Sequence, residues 1–191
     1  MDWVGTGQAI IFLTGLGNTA HVYDGFAPVF TDSFHVYGIS RRGYGGSEQT
    51  QTGYGIDTLA KDILAVVDAL GLAKVILIGH SIAGDEITVF ASKYPTRVVK
   101  VIYLDAAYNH SDLAEFPSFP EFPQRKTKDS ISIQDLNNEM KMDRGFTFPE
   151  DELRHQYIFS DRGFVLKEVT PYAIPEAIVQ GGCADAQLQR C

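Results

Sequence analysis

Apolar positions recur with two different periods along the first hundred residues, and their alternation predicts the architecture. Residues 9–13 form an unbroken apolar run closed by Thr14 and Gly15, the pattern of a strand buried on both faces of a parallel sheet. Residues 34–39, 75–78 and 98–104 repeat such short runs. Between them Leu59, Ile63, Val66, Val67 and Leu70 fall on one stripe of an amphipathic helix, with Asp57 as its expected N-cap and Gly71 as its stop. Residues 20–30 and 82–94 are expected to be helical as well, the second segment closed by Pro95. Strands alternating with helices in this order predict an α/β fold, a parallel sheet with helices on both faces.

The pattern changes after Tyr108. Residues 116–123 carry Phe116, Phe119 and Phe122 interleaved with Pro117, Pro120 and Pro123, which excludes regular helix or central strand and predicts a connector. Helical segments are expected over residues 133–142, 149–159 and 175–180, with Pro149 suited to a first helical position. The expected division is therefore an α/β core over residues 1–108, a helical cap over a pocket mouth at 109–180, and a return to the core or a tail at 181–191.

Composition narrows the partners. A chain of 191 residues, 45% hydrophobic, is enough for one domain with a buried core. A net charge of −8 with both signs interspersed argues against a nucleic-acid or anionic-membrane partner and for a small-molecule substrate. The aromatic and apolar residues of the expected cap make that substrate hydrophobic. No apolar run reaches membrane-span length and the first residues lack a signal-peptide pattern, so a soluble, cytoplasmic protein is expected. Cys183 and Cys191 stand outside any metal-ligand spacing and read as incidental thiols, a disulfide between them being the alternative. No metal and no cofactor are expected.

The chemistry concentrates at Gly79, His80, Ser81, Ile82, Ala83 and Gly84, where a buried strand runs through Gly-x-Ser-x-small into a helix. A serine on such a turn has its hydroxyl lifted clear of the backbone, and the Ile82 N–H at the helix start faces a developing oxyanion. The competing reading is a serine that merely caps the helix. Thr14, Gly15, Leu16 and Gly17 follow the first strand, where the chain is expected to cross the sheet near Ser81, so the Leu16 N–H is the candidate second oxyanion donor.

Four stretches together resemble the α/β-hydrolase superfamily of small esterases and C–C hydrolases: residues 12–17, 40–47, 79–84 and 95–98. The resemblance covers about residues 3–108 and implies a serine hydrolase attacking a small ester, amide or related carbonyl through Ser81 and an acyl-enzyme. Relatives usually carry His-Gly where this chain has Thr14 and Gly15, and Ala83 stands at a position often held by glycine. The resemblance also implies that Arg41 and Arg42 are loop-packing residues, that His80 packs structurally beside the elbow, and that some relatives place the triad acid at the position of Asp105. Otherwise Asp105 serves the turn. Asp85 and Glu86 read as complements to the helix dipole.

In such relatives the cap is followed by further strands carrying an acid and a histidine. This sequence has no histidine after His155, and a serine without an imidazole is a poor nucleophile at neutral pH. A truncated form of a longer hydrolase is the expectation, with recruitment of His110 or His155 from the cap, or loss of the base, as alternatives; His155 in its polar segment otherwise reads as a surface residue. Two function classes follow: a serine hydrolase, and a non-catalytic relative that keeps a pocket for binding. A serine nucleophile weighs against the dehalogenase and epoxide-hydrolase branches, which use a carboxylate.

Overall fold

The computed structural model describes residues 1–106, 131–145, 147–162 and 165–168. Seven strands and four α-helices are present among them: β1 (Asp2–Trp3), β2 (Gln8–Leu13), β3 (Phe34–Ile39), α1 (Ile56–Ala69), β4 (Val75–His80), α2 (Ala83–Lys93), β5 (Val98–Leu104), α3 (Ile133–Arg144), α4 (Glu150–Gln156), β6 (Tyr157–Phe159) and β7 (Val165–Glu168). The first five strands form one sheet in the order β1-β3-β2-β4-β5, parallel except for β1. This is the expected α/β fold.

Burial follows from the strand sequences. Ile11, Leu77 and their same-face neighbours pack with Ile63, Val67, Ile87 and Phe90 of α1 and α2, while Phe12, Val36 and Ile78 on the other face pack against Tyr23 and Ala27. Both faces of β2 are covered, which is why its sequence is a continuous apolar run rather than an alternating one. The register pairs Leu13 with Gly79 and His80 with Leu104. The C-terminal ends of β2, β4 and β5 therefore finish level with one another, and the residues that follow them share one edge of the sheet, where open α/β sheets bind ligands.

Four expectations are corrected. Residues 20–30 form not one helix but two 3-10 turns, Ala20–Tyr23 and Ala27–Phe30, because Gly25 loosens the chain and Pro28 starts the second turn without an amide to donate. The N-cap of α1 is Gly55, and Asp57 sits inside the first turn, where its carboxylate pairs with Lys93 of α2 at 2.6 Å. The segment from 149 to 159 splits into α4, with Pro149 as N-cap rather than first helical residue, and β6, because Tyr157, Ile158 and Phe159 pair antiparallel with β7. β1, β6 and β7 carry too short a pattern to be read from the sequence.

Helix α3 starts with a full capping box, in which the Ser132 hydroxyl accepts from the Asp135 amide and the Asp135 carboxylate accepts from the Ser132 amide. It ends at Gly145, whose φ of +79° is the left-handed stop that glycine adopts freely. Leu136 and Met140 of α3 share a small core with Leu153 and Tyr157. The connector at 116–123, the helix expected over 175–180, His110, Cys183 and Cys191 lie outside the described residues.

Candidate active site

β4 ends at His80 and α2 begins at Ala83, so the chain reverses within Ser81 and Ile82. Ser81 takes a φ of +53°, a left-handed conformation that costs a non-glycine residue roughly 1 kcal/mol. The surroundings hold it there. Its amide donates to the Leu104 carbonyl of β5 at 3.2 Å, and its carbonyl accepts from the Gly84 amide at 2.9 Å as the helix starts. Glycine is needed on both sides: a Cβ on Gly79 would come within 2.8 Å of the Ala83 carbonyl oxygen, and one on Gly84 would collide with the Ala106 carbonyl. Ser81 therefore sits on a strained tip, partly exposed, and not in a helix interior.

The segment after β2 reaches this tip. A Cβ on Gly15 would lie 2.8 Å from His80 Nδ1 and 3.3 Å from Ser81 Cβ, so only a bare backbone passes this close. Among the described residues no backbone carbonyl accepts from the amides of Leu16 or Ile82. His80 lies with its imidazole against Gly15.

Two buried polar clusters fix the loop from below and from the side. Arg41 donates to the Thr14 carbonyl through Nη2 at 2.8 Å and to Glu86 Oε1 through Nε at 2.6 Å. Glu86 is thereby the anchor of a buried ion pair joining α2 to the loop, a role that the helix-dipole reading of Asp85 and Glu86 missed. Burial pushes the Glu86 carboxyl up, while the guanidinium of Arg41 pulls it down. Arg42, the other half of the basic pair, grips Asp62 of α1 through two nitrogens at 2.6 and 2.5 Å. Both arginines are packing residues, as the resemblance implied.

On the other side α4 holds residues 17–19. Glu152, with no exposed surface, accepts from the Thr19 amide at 2.7 Å and from the Thr19 hydroxyl. Gln156 donates to the Gly17 carbonyl at 2.8 Å and to Glu152 at 2.5 Å. Burial raises the Glu152 carboxyl, and the donors from Thr19 and Gln156 oppose the rise. Neither residue carries a sequence signal, since a Glu and a Gln four apart read as solvated helix surface.

The remaining candidates do not converge on the serine hydroxyl. His155 stacks on His21 with ring centroids 4.2 Å apart, and its Nδ1 lies 2.7 Å from the Asp151 carbonyl. Among the described residues no side chain is hydrogen-bonded to Ser81 Oγ. Asp105 follows β5 on an exposed turn with φ of +46°, one strand away from Ser81 along the same sheet edge. His21, Asp24 and Asp151 bring one ligand atom each within 4.8 Å of the others, although His21 Nδ1 already pairs with Asp24 Oδ2 at 2.8 Å. No helix among the described residues is long and apolar enough to cross a membrane.

Known proteins share this fold. The α/β hydrolase fold family model matches residues 8–154. The chain is 30% identical over 101 residues to 2-(acetamidomethylene)succinate hydrolase of Mesorhizobium japonicum, covering 53% of this chain and 36% of that protein. It is 32% identical over 154 residues to the AB hydrolase superfamily protein YisY of Bacillus subtilis, covering 77% of this chain and 53% of that one. The crystal structure of E-2-(acetamidomethylene)succinate hydrolase superposes with a TM-score of 0.72 at 19% identity, over 93% of this chain and 66% of that chain, a likeness of fold. The chain thus spans about a third to a half of the length of these curated relatives. With its family model matched from β2 into α4, the chain belongs to the α/β hydrolase fold family.

Proposed function

We propose that this chain carries the nucleophilic half of a serine hydrolase that cleaves small ester, amide or related carbonyl substrates. The observation that supports this reading most directly is the left-handed Ser81 at the strand-to-helix tip with Gly15 packed against it. In this reading Ser81 Oγ attacks the carbonyl carbon, the N–H groups of Leu16 and Ile82 donate to the oxyanion, and the leaving group departs to give an acyl-serine that water hydrolyses. Arg41, Glu86, Glu152 and Gln156 keep the loop from retreating. The amides thereby face the reacting oxygen at no further ordering cost when the charge develops. We read residues 109–180 as the cap, with α4 as its anchor on the loop, and the substrate as a small hydrophobic molecule.

The reaction also needs a base. His155 keeps its Nδ1 on a carbonyl and its ring on His21, so it does not fill that role in this conformation. The same observation supports the second reading, a relative that retains the fold and a pocket for binding without turnover. Hydrolysis of p-nitrophenyl esters separates the two, with Ser81→Ala and His155→Ala as controls. Turnover lost in Ser81→Ala and kept in His155→Ala supports the hydrolase; equal rates in wild type and Ser81→Ala support the binding protein.

A further inference from the structure

Arg41 is 4% exposed, and two of its three guanidinium nitrogens are committed to Thr14 and Glu86. The third, Nη1, is buried with no hydrogen-bond partner among the described residues, and so is Thr50 Oγ1. Both residues line one cavity of about 280 Å³ between α1 and the loop that follows β3. Buried polar atoms are almost always paired, so two orphans around the same space mark the place of a missing partner. Ile39, Leu59, Ile63 and Val66 make the larger part of the wall apolar, beside Ser40, Ser47, Glu48 and the ion-paired Arg42, Asp62 and Glu86. One water occupies about 30 Å³ and needs two or more polar partners, so waters in most of this volume are poorly bonded and easily displaced.

We propose that this cavity is a binding site for a small uncharged molecule, one that presents a carbonyl or amide oxygen to Arg41 and Thr50 and an apolar body to α1. Charge decides against an anion. The guanidinium of Arg41 is already matched by Glu86 and that of Arg42 by Asp62, and Glu48 adds a further carboxylate to the lining. A carboxylate ligand would enter next to Glu86 without a free cation to meet it. A neutral acceptor satisfies Nη1 without that penalty. The site is separate from the elbow, because Gly15, Leu16, Ser81 and Ile82 are all absent from its lining, and it does not depend on Ser81 being a nucleophile. It nevertheless touches the guanidinium that ties Thr14 to α2.

The test compares butanamide with butanoate, which share a carbon skeleton and differ in charge, by following amide chemical shifts of α1 during titration of the whole chain. The proposal expects saturable shifts for butanamide and binding of butanoate at least ~10-fold weaker. Thr50→Val, which keeps the shape and removes the hydroxyl, should weaken butanamide about 2- to 10-fold, as the loss of one neutral hydrogen bond does. Ala65→Trp places a large ring at the exposed rim of the cavity from the surface of α1 and should abolish binding while the protein stays folded. Butanoate binding as tightly as butanamide, no saturable binding of either, or unchanged binding in Ala65→Trp would overturn it.

Discussion

Replacing Glu152 tests how α4 holds the loop beside Ser81. The carboxylate takes three donors: the Thr19 amide and the Gln156 amide group on Oε1, and the Thr19 hydroxyl on Oε2. In Glu152→Gln the amide oxygen can keep both N–H donors, while the new NH₂ donates to Thr19 Oγ1, leaving only the hydroxyl proton without an acceptor. One orphaned buried donor costs about 1 kcal/mol at the low end of the range. Glu152→Ala orphans the Thr19 amide and hydroxyl, leaves Gln156 with only its bonds to Gly17 and Asn18, and opens a void, so the loss should be about 3 kcal/mol or more. Urea unfolding at neutral pH measures both, and amide exchange at Thr19 reports whether the loss is local. Equal stability of the two variants, or an alanine variant as stable as wild type, would refute the hydrogen-bond accounting and with it the claim that α4 braces the loop.

The other predictions follow from single contacts. Ser81→Gly should be about 1 kcal/mol more stable than Ser81→Ala by thermal unfolding, because only glycine adopts the φ of +53° without strain. Gly15→Ala should lower both stability and ester turnover, since the added methyl meets the His80 ring and Ser81 Cβ; unchanged turnover would show that the loop does not need this proximity. Asp135 is held below the usual carboxylate range by its bonds from Ser132, so the capping box contributes stability above the ordinary aspartate pKa, and that contribution disappears as pH falls through the lowered value. A carboxylate NMR titration should show the low midpoint in wild type and its rise toward the ordinary value in Ser132→Ala, where the backbone amide still donates.

The core was legible because strands buried on both faces write themselves as continuous apolar runs, and β3 and β5 match their expected bounds, 34–39 and 98–104. The elbow was legible for a local reason, since a left-handed serine between a strand and a helix needs small residues at fixed offsets. What the sequence hid depends on distant partners. Glu86 and Arg41 lie 45 residues apart, and Glu152 meets Thr19 across 133 residues, so neither pair leaves a periodic trace. The two 3-10 turns at 20–30 kept a helical pattern of apolar residues while Gly25 and Pro28 broke the helix itself. His155 resembled a solvated residue in its own segment, and its stack on His21 exists only because α4 docks there.

The central claim is that Ser81 is a nucleophile facing two oxyanion donors, and covalent labelling addresses it directly. The chain is treated with an activated phosphonate ester, with and without imidazole added to the buffer as an external base, and the modified peptide is identified by mass spectrometry. The account predicts an adduct on Ser81 that forms faster with imidazole, is absent from Ser81→Ala and persists in His155→Ala. No adduct under either condition, or labelling of the same extent in Ser81→Ala, would contradict it.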